Sequence, residues 1–251
     1  LSILILFARC GLIRLVNRVV EYLENQNDNL TSNSNYYFVK AINSFNDNEW
    51  VAASFNFEKV LNSKNNNHII DSHFYLLIIL YKNQKFNKAI TLIKKYATVI
   101  NKNKLLKNIF DLIQMILSFN IQSTDDSTNQ IYDSYISIKN KSNVNNQEKY
   151  YLLFLHWILI QFYGNNGDSN QAMNIQNDSI QLINELSEYI VGFHLKSFFV
   201  TKPILHELLM EDIDFEFAEE TGLDDFGEPE QAVSTKLDVF NFCTECGFNN
   251  S

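Results

Sequence analysis

Cys243 and Cys246 enclose Thr244 and Glu245 in a C-x-x-C, a spacing that can ligate zinc or cycle between two thiols and a disulfide. A structural zinc takes four ligands. The chain offers one further cysteine, Cys10, and the nearest histidine is His206, so the set falls short. The redox use of the motif needs a βαβ setting that the sequence lacks. The pair therefore reads as half-buried cysteines of a terminal helix, and neither metal nor cofactor is expected. The five histidines are scattered, and no two stand four residues apart. His73 and His156 lie in apolar runs, the setting of a hydrogen-bonded core imidazole. No P-loop, G-x-G-x-x-G, G-x-S-x-G or H-E-x-x-H occurs. With no catalytic residue legible, an enzyme is not expected.

The remaining chemistry is that of binding. From Ser72 to Phe110 there is no Asp or Glu, while Lys82, Lys85, Lys88, Lys94, Lys95, Lys102, Lys104 and Lys107 all fall there. Such a run is either a solvated face or a patch for an anionic partner, with an attraction confined to about 8–10 Å at physiological salt. The opposite sign is concentrated further on. Glu207 to Glu230 holds eleven acids and no Lys or Arg, and the other 18 acids face 20 bases. A near-neutral body thus carries an acidic tail. Within the tail, Phe215, Phe217, Leu223 and Phe226 alternate with acids, a pattern in which charge keeps apolar contact residues soluble and steers them to basic grooves. One arrangement this division predicts is a tail folded back on the Lys82–Lys107 face, in competition with an external ligand.

The elements that must position these residues are helical. The 251 residues include only seven Gly and two Pro, too few for an all-β or Rossmann-type domain. Asparagine supplies the punctuation, as in Asn65–Asn67 and Asn143–Asn146, because it caps helices and tolerates turns. Apolar periodicity predicts helices over Ser2–Asn25, Asn35–Asn46, Glu49–Asn62, Ile69–Lys82, Lys85–Val99, Lys104–Ser118, Asn129–Lys139, Gln147–Tyr163, Ser169–Val191 and Pro203–Glu211. Phe74–Tyr81 and Tyr150–Ile160 are apolar almost all round, so both helices should be inner ones. Neither these nor Ile3–Ala8 reaches the roughly 20 apolar residues of a membrane span. The chain begins at Leu1 rather than Met, as a fragment or processed product would, and Ile3–Ala8 reads as part of a packing helix.

Internal repetition gives the architecture. Ala41, Trp50, Ala53, Phe57 and Val60 are matched 36 residues later by Leu77, Phe86, Ala89, Ile93 and Tyr96. A small residue lets the partner helix approach, and large residues a turn away fill the groove. This pattern resembles the tetratricopeptide family, over residues 35–101 and more loosely over 104–191. The chain departs from it in three ways: the period is 36 rather than 34, Leu77 replaces a small residue, and the proline closing the second helix is absent. The resemblance implies a right-handed solenoid of antiparallel helix pairs presenting an extended binding surface. The family's carboxylate clamp of Lys and Asn on successive first helices is not carried over, since Lys40 and Asn43 have no counterpart in the next pair.

The expectation is an all-α chain: a helical-repeat domain over 1–201 and an acidic, partly helical or flexible segment over 202–251. Its function would be that of a scaffold or adaptor in a multiprotein assembly, binding protein partners through the repeat surface and the tail. The alternative is a helical-repeat RNA-binding protein using the lysine face; the acidic total weighs against it. Sparse cysteines favour a reducing, intracellular compartment, the cytoplasm first.

Overall fold

A computed structural model describes residues 1–26, 33–63, 67–121, 127–140, 144–190, 196, 199–200 and 202–209. Every regular element among them is a helix. In order these are α1 (Ser2–Arg9), α2 (Ile13–Gln26), α3 (Ser34–Asn46), α4 (Trp50–Leu61), α5 (Ile69–Lys82), α6 (Phe86–Lys95), α7 (Ala97–Ile100), α8 (Lys104–Ile121), α9 (Ser127–Lys139), α10 (Asn146–Asn165) and α11 (Ser169–Glu188). Residues 203–209 are helical as well.

Asparagine starts three of these helices. Asn33 caps α3 by accepting from the Asn35 amide, and Asn103 caps α8 by accepting from Leu105 and Leu106. Asn145 and Glu148 form a reciprocal capping box at α10.

The predicted single helix over Ser2–Asn25 is two. Gly11 sits at φ 80, its amide donates to Ala8 O, and the Leu12 amide reaches back to Phe7 O. That pair of bonds is a Schellman stop, which a left-handed glycine makes at no steric cost. The predicted helix Lys85–Val99 also divides, because Tyr96 leaves helical geometry and lays its ring against His73, centroids 4.1 Å apart. α8 runs a turn past the expected end and carries Phe119 onto Phe162.

The same stop recurs between paired helices. Asn48, at φ 60, donates to Phe45 O while Glu49 donates to Ser44 O. Gln84, at φ 54, donates to Tyr81 O while Lys85 donates to Leu80 O. Gly167, at φ 77, donates to Gly164 O while Asp168 donates to Tyr163 O. The residues before the latter two, Asn83 and Asn166, each turn a side-chain amide back to the carbonyl four residues earlier, at 2.7 Å. Three turns of one geometry fold α3 on α4, α5 on α6 and α10 on α11 as hairpins.

Inside the hairpins the small residues do what their spacing requires. Ala41, Ala53, Ala89, Phe57 and Val60 are buried, and α3 and α4 pack closely. Trp50 is only half-buried: it opens α4 with one edge on Phe45 and a face turned outward.

The two all-apolar helices find each other. Tyr151 to Ile160 of α10 is buried without interruption, as is Asp71 to Ile79 of α5. Phe74 of α5 stacks on Tyr151 and Phe154 of α10, at 4.7 and 5.5 Å, and meets Phe110 of α8 at 4.7 Å. An open stack would keep the α10–α11 hairpin off the α5–α6 hairpin; here α10 reaches past α9 to lie on α5 as well as α8. Each large apolar side chain buried in this centre contributes about 1.5–3 kcal/mol before entropy is subtracted.

Asp71 is a core polar group paired across elements. Asp71 accepts from Arg9 of α1 and from the Tyr151 hydroxyl at 2.7 Å, tying three helices. Burial alone would push its carboxyl up, but His68, Arg9 and Tyr151 outweigh that and hold it below the usual range.

Candidate docking site

Lys82, the last residue of α5, brings the ends of three elements together. Its ammonium lies 4.9 Å from the ring centre of Trp50 and 5.2 Å from that of Trp157 on α10. Two indole faces around one cation form a favourable electrostatic cradle, because each ring presents its negative face. The same ammonium pairs with Glu207 Oε1, and the Trp157 indole N–H donates to Glu207 Oε2 at 2.6 Å. One carboxylate is thus gripped by a charged and a neutral donor, each on a rigid helix.

Tyr81 supports the grip from behind. Its ring meets Phe86 and Trp157 edge-on at 5.5 and 5.9 Å, and its hydroxyl accepts from the Asn120 amide at 3.3 Å. Burial pushes that hydroxyl up to about 12, against the opposing Asn120 bond, so it stays protonated. A cleft of about 370 Å³ opens beside Glu207, lined by Tyr81, Gln84, Phe86, Asn120, Gln161 and Asn165 together with Lys82 and Trp157.

Glu207 belongs to residues 202–209, which lie against the first helices of three hairpins. Lys202, Ile204, Leu205 and Leu208 are buried. Phe45, Tyr75, Tyr150, Leu153 and Phe154, from α3, α5 and α10, face Lys202, Ile204 and Leu205. Lys202 donates to the Tyr150 hydroxyl, and Gln176 of α11 donates to Leu208 O at 3.4 Å. Each of the buried Ile204, Leu205 and Leu208 side chains contributes about 1.5–3 kcal/mol before entropy is subtracted. Both members of the Lys82–Glu207 pair are partly exposed, which limits that contact to at most about 1 kcal/mol.

Of the candidate binding residues named from the sequence, Lys82 is the one among the described residues that forms part of this site. Lys85, Lys88, Lys94 and Lys95 are exposed on α6 and its approach; Lys85 is next to the cleft, since Gln84 and Phe86 line it on either side. Lys95 lies over the Tyr96 ring, 5.1 Å from its centre, and Lys107 pairs with Asp111 at 2.5 Å. Phe215, Phe217, Leu223 and Phe226 lie outside the described residues, as do Cys243 and Cys246. Residues 202–209, by contrast, pack against the helices before them. Sequence reading missed Trp157 and Glu207 as site residues and placed Trp50 only in the fold. No spacing relates the three, because they meet through packing of elements 50 or more residues apart.

A second polar group is internal. His156 Nδ1 lies 3.0 Å from Ser179 Oγ, and Nε2 lies 3.3 Å from the Tyr135 hydroxyl. That hydroxyl donates to Asp178, which Lys139 holds at 2.6 Å. Burial lowers His156 to about 4, so the ring is neutral. Ser179 and His156 are both buried, and the serine proton is committed to Ile175 O at 2.8 Å, so the group staples α9, α10 and α11 together. Among the described residues no three metal-ligating side chains cluster, and no helix is long and apolar enough to cross a membrane.

Comparison with family models, with curated proteins and with solved structures finds no match to this chain.

Proposed function

We propose that this chain is a non-catalytic interaction scaffold, an adaptor subunit that holds protein partners within a larger assembly on a tetratricopeptide-like stack of helix pairs. The observation that carries this reading is the groove over α3, α5 and α10, which already holds a short helical segment by an apolar row and a gripped carboxylate. The recurring turn after α3, α5 and α10 supports the repeat reading, and the 36-residue offset between Asn48 and Gln84 equals that of the sequence repeat. The acidic-aromatic tail is a second contact surface in this reading.

Affinity purification from native lysate, with nuclease, tests it. The full chain should recover a stoichiometric set of proteins, and Lys82→Glu or a chain ending at Glu207 should lose part of that set. Recovery of no protein by any of these chains would reject the scaffold.

A second reading rests on the exposed lysines of α6, a face without Asp or Glu. It is RNA binding, with the phosphate backbone neutralised by Lys85, Lys88, Lys94 and Lys95. No aromatic ring on α6 is free for base stacking among the described residues, which weighs against it. Nucleic acid recovered without nuclease, with affinity falling steeply in salt, would favour it.

A further inference from the structure

The groove occupant and the groove are parts of one chain, and their contacts are those of a ligand with its receptor. In residues 202–209, Lys202, Ile204, Leu205 and Leu208 are buried against the body, Leu209 packs on it in part, and His206 faces solvent. Their carboxylate is fixed at the rim, where both Lys82 and Glu207 remain in contact with water. Among the described residues the cleft extends beyond its occupant: past Glu207 it is lined by Phe86, Asn120, Gln161 and Asn165, and the exposed Lys85 stands between two lining residues, Gln84 and Phe86.

We propose that the Lys82–Trp50–Trp157 cradle is an exchangeable docking site for a short amphipathic helix from a protein partner, occupied in cis by residues 202–209 until such a helix displaces them. This rests on the scaffold reading and names the partner's chemistry. The incoming helix carries a glutamate or aspartate, apolar residues two and three positions before it, and another immediately after, the spacing of Ile204, Leu205, Glu207 and Leu208. Further acids toward its C-terminal side are favoured, since the exposed Lys85 stands between two residues that line the cleft and charges in contact range attract despite salt. Tethering gives the resident segment a high effective concentration, so a partner must bind well to win.

The test uses the intact chain and a synthetic fluorescent peptide spanning residues 199–211. Wild-type chain should bind the peptide weakly, because its own segment fills the site. The double variant Glu207→Lys, Leu208→Asp weakens the resident and should bind at least tenfold more tightly by anisotropy. The same peptide carrying Glu207→Lys should lose that gain, as should adding Lys82→Glu to the chain. A double variant with native circular dichroism that binds no better than wild type overturns the proposal. Hydrogen exchange on the unmodified chain is an independent measurement, decisive even should the variant not fold. Amides of residues 202–209 should exchange at least tenfold faster than those of α5 and α10. Protection equal to α5 would make the segment a fixed part of the core and sink the idea. Neither measurement involves a cellular partner, so a failed titration beside a successful capture from lysate moves the partner to another face and leaves the scaffold standing.

Discussion

Asp71 shows how much one side chain holds in this molecule. It is buried on α5, accepts from Arg9 on α1 and from Tyr151 on α10, and lies 3.7 Å from the His68 ring. Asp71→Ala removes the shared acceptor and leaves a guanidinium and a phenol to find water. Loss of a fully buried pair costs about 3–5 kcal/mol, and half-exposed Arg9 lowers the expectation to about 2–3 kcal/mol, readable in a urea titration. The histidines give a pH signature. His73 and His156 are lowered to about 4 by burial, below the ordinary 6.5. Between those values the unfolded chain binds protons that the folded chain does not, so stability falls as pH drops from 6.5 toward 4. The slope approaches about 1.4 kcal/mol per pH unit for each histidine. His156→Gln should roughly halve the slope measured from urea midpoints between pH 7 and 5; an unchanged slope would show that the imidazole is not what titrates. That both rings are buried was legible, since each stands in an apolar run. The partners of His156 were not, because Ser179 and Tyr135 lie on other helices.

At the scale of elements, the turn after each first helix sets the hairpin. Gln84 holds a left-handed backbone with an ordinary side chain at φ 54, where the strain for such a residue is about 1–2 kcal/mol. Gln84→Gly should therefore raise stability by about 0.5–1 kcal/mol after the added freedom of the unfolded chain is counted. Gly167→Ala should do the reverse by about 1 kcal/mol, from strain alone, since its missing Cβ would meet no atom within 4 Å. Thermal melts of the two variants should move in opposite directions. Helix positions were well marked in the sequence because apolar periodicity and asparagine caps agreed, as at Asn103 and Asn145. The break at Gly11 was hidden. A lone glycine inside a periodic run is compatible with both a continuous helix and a stop, and only the backbone bonds to Phe7 and Ala8 decide.

Over the whole molecule, the aromatic contact between α5 and α10 closes the chain on itself. Phe74 touches both α8 and α10, so Phe74→Ala should cost about 3–5 kcal/mol and lower the melting temperature of the entire fold in one transition. Two separate transitions would mean that the hairpins unfold as independent units. Both helices could be identified as inner from their lack of a polar face. Which inner helix meets which was not readable, because periodicity reports how a helix is buried and carries no address for its neighbour. The cradle around Lys82 inherits that limit, and it also has a practical consequence. Trp50 and Trp157 are the two tryptophans of the entire sequence, and both turn their rings to the same ammonium. The tryptophan emission of this protein thus originates at one location, so the wild-type chain carries an intrinsic, label-free optical gauge of what sits beside Lys82.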